Sequence, residues 1–345
     1  MSPRRCSLLF IVPALSVASL ATLAAIQAPE DCACEVVQQP DDGWTTEPGA
    51  HDPVVVKEGG KYHLFVTGRG IPTRSSTDLK SWGPVTQVFA APPEWAGKEI
   101  QGFRDHIWAP DVSRFGGKWH LYYSISTFGK NRSAIGHATN VTLDSTSKDY
   151  RWVDQGPVFQ SYPSDNYNAI DPNVVIDEKG TPWLSFGSFW SGLQMIRLDR
   201  DGRRAEPEVK PINIAGRPHE GSQQPGAIEA PTIVRRGGYY YLFASYDFCC
   251  RGANSTYNVR VGRSKNVQGP YVDREGKALT AGGGTKVIEG GARWKGPGHQ
   301  AFLRDGRTDY LVYHAYDAEN RGRPMLRMAK IAWDREGWPS VPPPG

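Results

Sequence analysis

Beyond about residue 46 the chain repeats one unit five times, and this self-similarity restricts its fold more than any single motif does. The units read HDPVVVKEGGKYHLFVT, WAPDVSRFGGKWHLYYS, IDPNVVIDEKGTPWLSFGS, EAPTIVRRGGYYYLFAS and, more divergent, GHQAFLRDGRTDYLVYHAY. Each joins a short apolar run, through a glycine-containing turn, to a second run rich in aromatic and β-branched residues. That is the pattern of a β-hairpin. Pro53, Pro110, Pro172 and Pro231 fall 57, 62 and 59 residues apart. Such a period is too long for two strands, and weaker third runs follow at SAIGHATN, LQMIRLD, VRVGRSK and LRMAKIAW. No long window carries the helical periodicity that an α/β fold needs between its strands. A β-sandwich would show shorter and less self-similar spacing. The expected fold is therefore all-β, a five-bladed β-propeller over residues 46–341.

In such a ring the first strand of every blade lines the central channel, so residues just before those strands meet at one mouth. Proline suits the first position of a strand, and it is expected to hold the residue before it extended. Asp52, Asp171 and Glu229 precede these strands and should gather at one opening. Crowded carboxyls repel one another, which separates their proton affinities as acid and base catalysis requires. The competing use of such a ring is a channel-mouth calcium site. The segment STDLKSW, Ser76 to Trp82, reads as a structural blade turn, and the tail WPSVPPPG as linker-like.

The N-terminus differs in kind. Pro3-Arg4-Arg5 precedes an apolar run from Ser7 to Ile26 that ends among alanines, the layout of a secretory signal peptide cleaved near Ala24 to Ala28. Residues 1–28 are thus expected to be removed, 29–45 to form a linker, and the mature chain to be secreted without a membrane anchor. Cys32, Cys34, Cys249 and Cys250 then remain, an even number that permits two disulfides without revealing their pairing. Cys249 and Cys250 are adjacent and lack zinc-site spacing. The net charge of +4 comes from dispersed basic residues rather than a stripe, which argues against nucleic acid as a partner. A monomer is expected.

The segments HDP, NAIDPNV, GSFWSGLQMIRLD, IEAPTIV, DFCCRGANSTYNVRVGRSKNVQGPY and GPGHQAF resemble the arabinanases of glycoside hydrolase family 43. They occur in order, one position per blade, from about His51 to Trp333. The resemblance implies a propeller that hydrolyses α-1,5-linked arabinan with inversion. By motif, Asp52 corresponds to the general base and Glu229 to the general acid. Asp171 corresponds to a third acid that orients Glu229 and modulates its proton affinity. The family's sugar contacts fall on Asp52, Gly136, Asn168, Ala169, Ile170, Asp171, Ser188, Phe189 and Trp190. His299 corresponds to an axial metal ligand, and the oxygen-rich extracellular setting makes Ca2+ the expected ion.

The chemistry agrees with that assignment. An inverting glycosidase needs one protonated carboxyl at the leaving oxygen and one carboxylate that activates water on the opposite face. Trp190 and Trp108 offer flat apolar faces for a furanose ring, although Trp108 is expected to pack inside a blade. Arg251 could bind hydroxyls or pair with an acid. Two other readings compete with an endo-acting arabinanase: an exo-acting arabinofuranosidase or β-xylosidase, and a carbohydrate-binding propeller without activity. Retention of all three acids argues against the last, because a lectin has no use for a proton donor.

Overall fold

Where an apolar run meets a glycine turn and a second run, the computed structural model forms an antiparallel hairpin. It describes residues 45–218 and 226–344, so the expected signal peptide, the linker up to residue 44, Cys32 and Cys34 lie outside the described residues. Five hairpins form the inner halves of five blades. Val54–Glu58 pairs with Lys61–Phe65, His106–Phe115 with Lys118–Ile125, and Asn173–Ile176 with Pro182–Phe186. Ile228–Arg236 pairs with Tyr239–Tyr246, and Trp294–Asp305 with Thr308–Asp317. Third strands follow at Pro72–Ser76, Ser133–Asn140, Leu193–Arg197, Asn258–Ser264 and Arg323–Lys330.

Blades 1 to 4 each add an outer strand, at Thr86–Gln87, Val153–Ser161, Ile212–Ala215 and Thr285–Glu289. Blade 5 has three strands of its own. Its outer edge is covered from the other end of the chain: Gly49 bridges Met325. The Ala50 N–H donates to the Pro324 carbonyl at 3.1 Å, and the Leu326 N–H to the Pro48 carbonyl at 3.0 Å. An otherwise open edge is thereby satisfied and the ring is closed.

The core lies between blades rather than inside one sheet. Leu64, Leu121, Leu184, Leu242 and Leu311 occupy the same repeat position on the second strands, each at most 1% exposed. Separate apolar clusters join blades 2 and 3, 3 and 4, and 4 and 5, and the largest spans blades 5, 1 and 2. Trp82, at the end of the predicted blade turn, is buried and exchanges backbone hydrogen bonds with Thr45. The tail departs from expectation: Pro339–Ser340 pairs with Ala332–Trp333, and Trp338 is buried against blades 4 and 5. Its tryptophan has apolar surface to cover, which outweighs the neighbouring prolines.

The entry to each inner strand also differs from expectation. The residues before the prolines are not extended but left-handed, with φ of 51° at Asp52, 46° at Ala109, 58° at Asp171 and 53° at Ala230. His299 has the same conformation, φ 46°, at the entry to blade 5. Non-glycine residues adopt this region at a cost of about 1–3 kcal/mol each. The cost is tolerated because each N–H is held by a buried side chain of the preceding blade. Ala109 donates to Thr67 Oγ1 (2.7 Å), Asp171 to Ser124 Oγ (3.0 Å), His299 to Ser245 Oγ (2.8 Å) and Asp52 to His314 Nδ1 (3.1 Å). Blade 3 carries Gly187 at this position, and a Cβ there would stand 2.5 Å from the Gly192 carbonyl oxygen. Ala230 is instead held by Asp171 Oδ2 at 3.2 Å.

Candidate active site

The five left-handed residues bring Asp52, Asp171 and His299 into one ring at one mouth. Glu229 enters differently from the expectation of equivalent doorsteps. Ala230 is the residue equivalent to Asp52 and Asp171, and Glu229 stands one position earlier, aligned with His51, Trp108 and Ile170. The two positions form adjacent layers around the same opening, which lets an acid and a base occupy different levels of it.

Asp52 is buried and held from several sides. Thr67 Oγ1 donates to its Oδ2 at 2.5 Å, His51 Nδ1 lies 3.0 Å from Oδ2, and His299 Nδ1 lies 3.1 Å from Oδ1. Behind His51, Tyr316 accepts the Cys250 N–H at 2.8 Å and shares a 3.0 Å hydrogen bond with His51 Nε2. Burial by itself would raise the proton affinity of Asp52. His299, His51 and His314 outweigh it and hold the carboxyl well below the usual carboxylate range. Asp52 is held as a carboxylate.

Glu229 is shifted in the opposite direction. Burial pushes it up to about 7, reinforced by the charge on Asp52, against hydrogen bonds from Ser188 and Cys249 that favour the anion. The Ser188 hydroxyl donates to Oε2 at 2.5 Å. Asp171 is also raised well above its ordinary value, by burial and by the charges of Glu229 and Asp52. Its Oδ2 ties down Ala230, so the third acid fixes the backbone beside Glu229. One carboxylate and one carboxylic acid at a shared mouth can take a proton from water and give one to a leaving oxygen.

The remaining sequence-derived residues divide. Ser188 supports Glu229, and the Phe189 N–H donates to the Ile228 carbonyl at 2.9 Å, fixing the loop beside it. Phe189 and Trp190 are both left-handed, φ 55° and 42°. Trp108 corrects an expectation. It is half-buried, it stands in the same layer as Glu229, and like Trp190 it joins none of the apolar clusters between blades. Ile170 shares that layer, 7% exposed.

Gly136 and Ala169 are both buried. A Cβ on Gly136 would stand 2.3 Å from the Tyr123 ring, so internal packing alone requires a glycine there. Ala169 is wholly buried in the cluster between blades 2 and 3. Asn168 is buried, accepts from Ser133 at 2.7 Å and so braces the turn that carries Asp171. Arg251 lies over the Phe248 ring, 4.0 Å from its centroid.

Sequence reasoning missed Thr67, His51, His314 and Tyr316. A signal was present, because Thr67, Ser124, Gly187, Ser245 and His314 each lie three residues after the repeated leucine. Among the described residues the grouping with metal-ligand spacing is His51, Asp52 and His314. It does not fit an ion, since the Asp52 N–H occupies the His314 Nδ1 lone pair and His51 is engaged at both nitrogens. His299 does fit: its Nδ1 faces Asp52, which leaves Nε2 to coordinate.

A family model described as glycosyl hydrolases family 43 matches residues 47–339. The chain is similar to an extracellular exo-α-(1→5)-L-arabinofuranosidase of Cellvibrio japonicus, 46% identical over 84% of this chain and 86% of the relative. It is also similar to an extracellular endo-α-(1→5)-L-arabinanase of Bacillus subtilis, 43% identical over 84% of this chain and 87% of the relative. Among solved structures, an α-L-arabinanase of Cellvibrio cellulosa complexed with arabinohexaose superposes with a TM-score of 0.82 at 44% identity. That match covers 86% of this chain and 96% of the other. A match across nearly the whole ring, with relatives above 40% identity over most of their own length, settles the lineage: the chain is a glycosidase and belongs to glycosyl hydrolases family 43.

Proposed function

We propose that this chain hydrolyses α-1,5-linked arabinan at internal bonds, with inversion, outside the cell. The observation that carries the reading is the placement of Asp52 and Glu229 at one mouth, in surroundings that shift their proton affinities in opposite directions. Glu229 protonates the leaving oxygen, and Asp52 takes a proton from the water that attacks the opposite face of the sugar. Asp171 holds Glu229 in place through Ala230. The half-buried Trp108 and Trp190 flank the sugar, and Ser188, Phe189 and Ile170 complete the wall. His299 Nε2 would hold a calcium ion, which would supply positive potential that keeps Asp52 ionised. Relatives named extracellular and the apolar N-terminal run support secretion.

Exo-acting cleavage is a second reading, favoured by the name of the 46% identical Cellvibrio japonicus relative. Purified protein on linear arabinan separates the two. A fast fall in viscosity with arabino-oligosaccharides before arabinose supports internal cleavage. Arabinose as the sole early product supports the exo-acting reading, and no release of reducing ends removes both.

A further inference from the structure

The catalytic ring occupies one face of the propeller, and the first-to-second strand turns project from the other. Six residues of extended chain separate Ala230 from Arg236, so these turns lie about 20 Å from the mouth. Charges face one another across the seams between blades there. Glu58 meets Arg114 at 3.0 Å, Glu178 meets Arg235 at 3.3 Å, and Asp305 meets Lys57 at 2.6 Å. One base answers one acid at each of those seams.

The seam between blades 4 and 5 breaks that balance. Asp309 meets both Arg236, at 3.2 Å, and Arg304, at 2.8 Å. Arg307, in the turn beside them, adds a third guanidinium with no acid against it among the described residues. These residues, with Arg235 and the turn glycines Gly237, Gly238 and Gly306, line a cavity of about 520 Å³. Two of the guanidiniums are pre-set, those of Arg236 and Arg304. Arg236 lies 4.5 Å from the centroid of the Trp333 ring, and Trp333 Nε1 donates to Asp309 Oδ2 at 3.0 Å. Arg304 lies 5.4 Å from the centroid of the Phe302 ring. The carboxylate of Asp309 is thus saturated, while Nη1 and Nη2 of Arg236 and Nη1 of Arg304 are not spent on it, and the exposed Arg307 stands beside them.

We infer that this seam binds the carboxylate of an acidic sugar, an oligouronate segment of a polysaccharide. A guanidinium fork matches a planar carboxylate through two parallel hydrogen bonds. The depression is open to solvent, and side-chain-free glycines at its rim let a chain lie across it. The choice of a polysaccharide as the bearer of the carboxylate rests on the proposed function. The site would anchor the enzyme on acidic polymer while the opposite mouth works on a neutral one.

Calorimetric titration of the purified chain with trigalacturonate at low ionic strength tests this. Binding is expected, with the affinity falling at least about tenfold in Arg307→Glu. Saturating neutral arabinotriose should not displace the ligand, and hydrolysis of neutral arabinan should be unchanged in the variant. Absence of binding, equal binding by Arg307→Glu, or equal affinity for inorganic sulfate would each overturn the inference. Retained trigalacturonate binding by a protein inactive on arabinan would support the site while removing the proposed function.

Discussion

The Thr67 hydroxyl donates to Asp52 Oδ2 at 2.5 Å and accepts the Ala109 N–H at 2.7 Å, so one group joins the base to the entry of the next blade. Thr67→Val keeps the shape and removes both bonds. The Ala109 N–H is then buried without a partner, at roughly 1–3 kcal/mol. We expect kcat to fall about tenfold or more with little change in KM, and Thr67→Ser to restore most of it. Equal behaviour of the two variants would make the contact packing alone.

Glu229→Gln keeps the volume and removes the transferable proton. Loss of general acid catalysis is worth roughly 10² to 10⁴-fold, and that loss should appear on arabinan. An aryl arabinoside with a good leaving group needs little protonation and should lose much less. A uniform loss on both substrates would take the acid role from Glu229.

The alkaline limb of kcat/KM should follow the acid. Glu229 is protonated below about 7, so the rate should decline as pH rises through that value. The Ser188 hydroxyl favours the ionised form of Glu229. Its removal in Ser188→Ala should therefore raise the proton affinity and move the limb to higher pH. A limb that stays put or moves down would show that another group titrates there.

We expect the first-formed product from an α-linked chain to be the β-anomer, as the proposed inversion requires, and NMR of the early reaction detects it before mutarotation. In the same scheme the Asp52 and Glu229 carboxyls stand roughly 6.5–9.5 Å apart, leaving room for a water. An α-anomer appearing first would assign Asp52 as a nucleophile.

Much of this was readable because repetition converts sequence spacing into geometry. The prolines located Asp52 and Asp171, and the fifth unit placed His299 beside them although it has no proline. The same prolines misaligned Glu229, because a one-residue offset is invisible until the left-handed residue of each blade is known. Trp108 misled for the same reason: an aromatic next to a strand reads as core unless its layer is known. The closure of blade 5 by Pro48, Gly49 and Ala50 had no legible pattern, since three residues are too few to carry an alternation. Thr67 and His314 were legible only as a column through the five repeats, where three hydroxyls and a histidine share one task that Gly187 leaves to Asp171.

Blade 2 also carries a pair of histidines that should make the fold sensitive to acid. His120 Nε2 lies 3.2 Å from the Phe115 carbonyl, which can only accept, so that nitrogen is protonated. His120 Nδ1 then accepts from His137 Nε2 at 2.9 Å. His137 Nδ1 is left buried without a partner, its ring stacked 4.7 Å from Tyr122. Burial lowers His137 to about 3 and His120 to about 4, against an ordinary value of 6.5. Because the folded state resists protons that the unfolded chain accepts, the stability of this pair is fully present above pH 6.5 and is lost as pH falls towards those lower values. One pKa unit corresponds to about 1.4 kcal/mol, so His137 can account for a loss of at most a few kcal/mol. Denaturant unfolding at pH 7, 5.5 and 4 measures this. His137→Leu should be less stable at pH 7, because His120 Nδ1 loses its donor, yet its stability should decline less steeply toward pH 4. Other groups, including the buried Asp111, titrate alike in both proteins and cancel in the comparison. Parallel declines in the two proteins would clear this pair of the acid sensitivity.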